Sequence, residues 1–457
     1  MKTDLRETKI KKLIWITGIP MIISMVLQAL YNIIDTAFVI NMDPIMGPKA
    51  NLALTFSFPV QIFMIAVGVG TGIGINALLS KFLGEKNDEG VKKVTGNSIF
   101  LLIIIFLIFL IFGLFLSKPF ISFQTSDEDV LNMAASYLKI VCALSIGSVG
   151  FTIYERFLQA NGKTLHTMIA QISGAITNII LDYVFIYPLD MGIEGAAYAT
   201  IIGQILSFLL VVIFHYTINK EVKNSIKTLL PNFKIIKSIY FIGGSAALMQ
   251  ALLSVMMFGV NLILGTTKYN PTLMQNTFGI YYKIGQIPLF ALFGLSNALI
   301  TLTSFTKGAN NKRRLKEIYK YGIISSIIVS LIITILYEAL AEPIAKLFNI
   351  ASDSTNDEIK NLCVVAIRIS SISYVFMGIT IAIQGILQGL RYSLFPLLLS
   401  LFRLVIFFFP IAYLFTLSEN VSNLFWITFI ISEFLTAVIA LIISKKPFAK
   451  AIAPSEE

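Results

Sequence analysis

Charge is what this sequence has least of: 13% of its 457 residues are Asp, Glu, Lys or Arg, against roughly 25% in a soluble domain. With 56% hydrophobic residues and a mean hydropathy of +0.82, it cannot fold as a water-soluble globule. Cysteine is almost absent. Cys142 and Cys363 sit in separate apolar segments without CxxC spacing and read as small buried hydrophobes. The two histidines, His166 and His215, are far apart in sequence, which excludes a His-based metal cluster. No GK[ST] follows the glycines Gly68, Gly70, Gly72 and Gly74, so these read as close helix packing, and a self-contained ATP-driven pump is excluded. The absence of Ser/His/Asp, Cys/His and HExxH arrangements argues against an enzyme and against any resident cofactor.

Long apolar runs are what the sequence does have. Ser98–Leu116 and Leu424–Ser444 run with almost no charge, long enough for a hydrocarbon layer of about 30 Å. In lipid the backbone must bond to itself, so these are helices, and unbroken Leu, Ile and Phe argue against an alternating barrel. Twelve spans are expected, near 12–40, 51–80, 96–117, 130–155, 164–187, 193–216, 236–265, 274–303, 320–341, 360–385, 393–416 and 421–444. The net charge of +10 sits in alternate loops and not on one face, which argues against nucleic acid. Lys2, Arg6, Lys9, Lys11 and Lys12 precede span 1, and Lys81, Lys86, Lys92 and Lys93 follow span 2. Lys220, Lys223, Lys227, Lys234 and Lys237 follow span 6, Lys307 through Lys320 follow span 8, and Lys445, Lys446 and Lys450 end the chain. The other loops are poor in Lys and Arg and often acidic: Thr125–Asp129, Leu189–Glu194, Ser352–Glu358. Both termini are therefore expected in the cytoplasm, with the chain spanning the inner membrane. The basic leader runs into a full-length span without a small-residue cleavage site and does not read as a signal peptide.

The chain also repeats itself. Gly84 and its charged followers align with Gly308 at a register of about 224, and Lys118-Pro119-Phe120 aligns with Glu342-Pro343-Ile344. Farther on the register becomes about 229: Phe157–Ala160 meets Ile386–Gly389, and Ile202-Gly203-Gln204 meets Ile431-Ser432-Glu433. The expected architecture is all-α: two pseudo-symmetric six-helix lobes, 1–219 and 238–457, around a central cavity and joined by a linker at 220–237.

Intramembrane polar residues mark function, because an Asp at mid-span costs about 2.5–3.5 kcal/mol. Gln28, Tyr31 and Asp35 share one face of span 1; Asn178 and Asp182 share one face of span 5; Tyr137 and Thr200 lie on spans 4 and 6. In the second half Asp35 aligns near Val260 and Asn261, and Asp182 near Ile411, so only the first half carries the acids. Helix packing alone would need them in both. Two carboxylates in a low-dielectric pocket cannot both stay ionised without a cation. They can take up a proton or, with the Asn178 amide oxygen and the Thr200 hydroxyl, hold Na⁺. In the second half, Met256, Met257, Tyr281, Tyr282 and Met377 are candidates to line a cavity suited to amphiphilic cations. Arg403 and Lys283 are its cations, with Glu433 the candidate partner of Arg403. Glu155 and Arg156 read as an interfacial pair.

With these residues in place, the chain resembles the multidrug and toxic compound extrusion (MATE) family, and within it the DinF-like branch, over essentially its whole length. DinF-like members use a Gln, a Tyr and an Asp on the first helix, here Gln28, Tyr31 and Asp35. The family's fourth-helix Tyr lands on Tyr137, its fifth-helix Asn and Asp on Asn178 and Asp182, and its sixth-helix Thr on Thr200. Arg403, followed by Pro410, also looks like a feature of this branch. One departure is Gly243-Gly244-Ser245 opening span 7, where span 1 opens with Gly18-Ile19-Pro20. The resemblance implies a monomeric antiporter that exports organic, cationic amphiphiles in exchange for H⁺ or Na⁺. A lipid-linked sugar flippase is the alternative.

Overall fold

The computed structural model describes residues 4–43, 45–222, 228–268, 270–348 and 354–453. Lys2, Lys223, Lys227, Ser352 and Asp353, used above to orient the chain, lie outside the described residues. Among those described, ten helices are each long and apolar enough to cross a bilayer; two further bent pairs bring the total to twelve. Spans 1 to 3 are Ile10–Ile40, Met46–Gly84 and Asp88–Ser122; span 4 is Glu128–Ala143 with Ile146–Gln159; spans 5 and 6 are Thr164–Ile186 and Gly192–Ile218. Spans 7 to 9 are Phe233–Gly265, Pro271–Gly308 and Lys312–Ala339; span 10 is Ser354–Ser371 with Ser373–Gly389; spans 11 and 12 are Leu394–Thr416 and Val421–Ile452. Aromatic and aliphatic side chains such as Phe115, Phe258 and Ile335 stand exposed on the outside, a surface that only lipid can cover.

The two halves share details that an apolar pattern alone does not specify. Spans 2 and 8 both end in a left-handed residue, Lys86 with φ 57° and Asn310 with φ 51°. Both close with the same pair of backbone bonds: Asn87 N to Phe82 O and Asn311 N to Thr306 O, with Lys86 N to Leu83 O and Asn310 N to Lys307 O. This is the Schellman arrangement that satisfies a helix's last carbonyls. Asn87 and Asn311 then cap spans 3 and 9 through Gly90 N and Arg314 N. Gly162 and Arg391, with φ 71° and 68°, repeat the arrangement after spans 4 and 10. Short helices Ser117–Ser122 and Ala341–Phe348 occupy equivalent places, and spans 4 and 10 are each broken, by 41° and 50°. Serines at the breaks bond to the backbone three residues back: Ser148 to Ser145 O, Ser373 to Ser370 O. Such bonds compete with the helical ladder and bend it.

One apolar core gathers spans 8 to 12 with most of span 7, and another gathers spans 2 to 6. The first span of each half begins in the opposite core: Ile10, Leu13 and Ile14 lie among the second half's side chains, and Ile239 among the first half's. Along the seam, Asn76 and Thr301, both fully buried, exchange hydrogen bonds of 3.0 and 3.1 Å between spans 2 and 8. At the end carrying both termini the two spans touch backbone to backbone. A Cβ added at Gly84 would collide with the Phe305 carbonyl, and one at Gly308 with the Lys81 carbonyl. The residues before span 1 tie this end together. Arg6 donates to the carbonyls of Leu83 and Gly84 and stands over the Phe305 ring, while Arg314 donates to those of Leu5 and Thr8.

Replacing Gly84 and Gly308 together by Val should force the span 2–span 8 crossing apart, at an overpacking cost of about 1–3 kcal/mol per site. Thermal unfolding in detergent should fall by several degrees. A cysteine placed at Thr301, in a background lacking Cys142 and Cys363, should label faster with maleimide; unchanged melting and labelling would refute the contact.

Candidate functional site

Spans 1, 5 and 6 form a continuous packed set, with span 5 against both others. What brings spans 5 and 6 so close is a pair of glycines. A Cβ on Gly174 would meet Ser207 Oγ and the Gly203 carbonyl; one on Gly203 would meet the Gly174 carbonyl at 2.6 Å and Asn178 Cβ at 3.0 Å. Ser207 pins the crossing by donating to Ala170 O at 3.0 Å. Asn178 and Asp182 therefore project from a fixed backbone, 3% and 0% exposed. Asn178 Nδ2 donates to Thr200 Oγ1 at 3.4 Å.

Asp35 of span 1 and Asp182 of span 5 lie near enough for each to act on the other's charge. The Tyr31 and Tyr137 hydroxyls lie within the field of both acids, Tyr31 beside Gln204 of span 6 and Tyr137 beside Gln61 of span 2. Tyr31, Asp35, Tyr137, Asn178, Asp182 and Thr200 are thus gathered in one place. Gln28, half-buried on span 1, makes no hydrogen bond among the described residues. Gln61 and Gln204 complete the group, and the sequence reading did not assign them. For Gln204 a signal existed: the repeat pairs it with an acidic residue, Glu433.

The polar atoms left over at this site are all of one kind. Asp35 Oδ1, Asn178 Oδ1, both Asp182 oxygens and Gln204 Oε1 are buried without a hydrogen-bond donor among the described residues. No Lys or Arg stands against the acids. A cluster of acceptors with no donor is the chemistry of a hole for a proton or a hard cation.

The second half holds a different centre. A cavity of about 610 Å³, counting the open space at its mouth, is lined by Met256, Tyr281, Tyr282, Met377, Arg403 and Glu433 among others. Met257 is not among its lining residues: it packs half-buried against the neighbouring core. Adjacent helical residues point about 100° apart, so Met256 and Met257 cannot both face one cavity. Lys283, on the exposed side of span 8, is also absent from the lining. Arg403 Nε lies 3.1 Å from Glu433 Oε1, so Glu433 is indeed its partner. Arg403 sits in a π-helical turn, Phe402–Ile406, and its carbonyl accepts Ser432 Oγ at 2.6 Å. A π-turn inside a helix leaves a carbonyl without its usual partner, and Ser432 satisfies this one.

Glu155 and Arg156 are not interfacial: they are 5% and 2% exposed. Gln159 joins them, accepting from Arg156 Nη1 at 2.5 Å and donating to Glu155 Oε1 at 2.6 Å. The break in span 4 and the close passage of span 2 at Gly72, where a Cβ would meet Arg156 Nε, turn this face inward.

Gly203→Val should push the span 5–span 6 crossing apart at Asn178 and cost about 1–3 kcal/mol. Its unfolding temperature in detergent should drop, and a Val that leaves it unchanged would show the crossing to be slack.

Comparison with known proteins gives the same picture. The MatE family model matches residues 20–184 and 245–414. The multidrug export protein MepA of Staphylococcus haemolyticus is 25% identical over 383 residues, covering 84% of this chain and 82% of the relative. MepA of Staphylococcus aureus strain MRSA252 is 24% identical over 426 residues, covering 93% and 91%. Among solved structures, the outward-facing conformation of a multidrug resistance MATE family transporter of the MOP superfamily superposes with a TM-score of 0.91 at 24% identity, over 98% of each chain. A MOP superfamily transporter from Pyrococcus furiosus, described as having a binding pocket of reverse polarity, gives 0.86 at 23% identity, again over 98% of each chain. The twelve-span duplicated fold and the extent of the family match lead to one conclusion: this chain belongs to the MatE family.

Proposed function

We propose that the protein is a secondary antiporter that exports organic amphiphiles, cationic drugs or toxic metabolites among them, in exchange for H⁺ or Na⁺. The observation that carries this is the donor-free cluster of buried acceptors around Asp35 and Asp182, set in one lobe of a duplicated scaffold. The relatives named as multidrug export proteins support the substrate class.

In this reading residues 1–219 form an N-lobe with the coupling site and 238–457 a C-lobe, joined by the linker at 220–237. Both termini face the cytoplasm, so the tight Gly84–Gly308 crossing is a cytoplasmic seal and the arrangement is outward-open. The ion enters the N-lobe and is held by Asp35, Asn178, Asp182 and Thr200. Tyr31 and Tyr137 orient and shield the acids, and Gln28 lines the approach on span 1. Neutralising an acid that costs about 2.5–3.5 kcal/mol unpaired supplies more than the 1–3 kcal/mol typical of coupling between sites. Spans 1, 5 and 6 can then repack and bias the lobes toward the inward-open arrangement. Substrate entering from the cytoplasm toward the cavity at Met256, Tyr281 and Arg403 drives the return. The protein acts as a monomer and needs no cofactor.

Asp35→Asn and Asp182→Asn should each abolish ion-driven ethidium efflux from proteoliposomes while reaching wild-type expression and melting normally. Imposing pH and Na⁺ gradients separately identifies the coupling ion. Full efflux by both variants would sink the scheme.

A further inference from the structure

The repeat places the C-lobe cavity opposite the coupling site. At the register of about 229 that pairs the later spans, Gly174 meets Arg403, Gly203 meets Ser432 and Gln204 meets Glu433. Where the N-lobe presses two glycine backbones together, the C-lobe has an Arg whose carbonyl is bound by a Ser, and where the N-lobe has an amide it has a carboxylate. The result is a buried pair of opposite charges, 4% and 7% exposed, inside a wall of Met256, Tyr281, Met377, Leu404, Phe408 and Phe429. Tyr281 and Phe429 pack edge-on at 5.2 Å, and Phe408 and Phe429 at 4.8 Å, so the wall is firm and aromatic. The pair is incompletely satisfied: Glu433 Oε2 has no hydrogen-bond partner among the described residues, and Arg403 Nε lies near Glu433 without good hydrogen-bond geometry.

We propose that this cavity recognises zwitterionic amphiphiles: an aromatic body carrying one ammonium, taken by Glu433, and one carboxylate, taken by Arg403. The inference rests on reading the chain as an exporter of organic amphiphiles and specifies what one of its sites selects. A monocation drawn to Glu433 weakens that residue's hold on Arg403 and strands a buried guanidinium. A monoanion drawn to Arg403 strands Glu433 in the same way. Removing one member of a desolvated pair costs more than the pair itself contributes, so each single-charge ligand carries a penalty that a zwitterion avoids. Guanidinium and carboxylate geometry also match in a planar fork, which orients the ligand's acid end and leaves its ring on the aromatic wall. The volume suits a drug-sized molecule.

The test is binding to the purified full-length protein in detergent, followed by quinolone fluorescence anisotropy. The probes are norfloxacin, its methyl ester (cationic) and N-acetylnorfloxacin (anionic). Wild type should bind norfloxacin at least about tenfold tighter than either derivative. Arg403→Met should shift preference to the ester, and Glu433→Gln to the N-acetyl compound. The double variant, in which the pair is replaced by neutral side chains of similar size, should bind all three within about threefold. Equal binding of the three probes by wild type, or a norfloxacin preference kept by the double variant, would overturn the proposal. A readout that leaves the pair intact uses Trp426, whose ring lies 5.1 Å from that of Tyr281. In a Trp15→Phe background norfloxacin should quench Trp426 fluorescence, and absence of quenching counts against the site. Ethidium efflux by wild type tests the exporter reading separately: its failure with the probe series intact would remove that reading and keep the site.

Discussion

Every part of this molecule answers to the scarcity of hydrogen-bonding partners in hydrocarbon. Backbone groups solve it locally, by helices whose ends are closed with Asn caps and left-handed terminal residues. Side chains solve it in pairs, such as Asn76 with Thr301 between spans 2 and 8, and Ser432 with the carbonyl released at Arg403. Asp35 and Asp182 are the exception. Their oxygens, with those of Asn178 and Gln204, are packed together with no donor in reach, and only a species arriving from outside can satisfy them. A protein that keeps such a group unsatisfied has a use for its cost.

Duplication explains why the exception is confined to one lobe. The elements that fix the scaffold remain equivalent in both halves: the breaks in spans 4 and 10, the closing turns at Lys86 and Asn310, the reciprocal approach of Gly84 and Gly308. What has diverged are the side chains facing inward. One centre carries only acids. Its counterpart balances Glu433 with Arg403 and surrounds them with aromatic rings and methionine. A shared frame with opposite inner chemistry lets one lobe handle a small cation while the other meets a larger, greasier guest.

The way each lobe borrows the start of its neighbour's first helix ties these centres to the movement of the whole. Ile10, Leu13 and Ile14 are anchored in the second half, yet the same helix delivers Tyr31 and Asp35 to the first. Any repacking around the acids is therefore felt at the seam between lobes, through a rigid element and not a flexible loop.

Much of this was legible in the residue order, because helical periodicity and lipid thickness are local rules. They place twelve spans with ends displaced by several residues, since helices run on into water past the apolar stretch. They also put Gln28, Tyr31 and Asp35 on one face, and Asn178 and Asp182 on another. The repeat register exposed the asymmetry of the acids and aligned Gln204 with Glu433. Tertiary structure decided the rest. It was needed to seat Gln61 beside Tyr137, to turn Met256 inward and leave Met257 outside, and to bury Glu155 and Arg156 with Gln159. Those outcomes depend on where a helix bends, as at Ala143 and at the π-turn holding Arg403, and on how closely two backbones approach, as at Gly174 and Gly203. Bends and approaches come from contacts between segments far apart in the chain, which no local pattern of residues encodes.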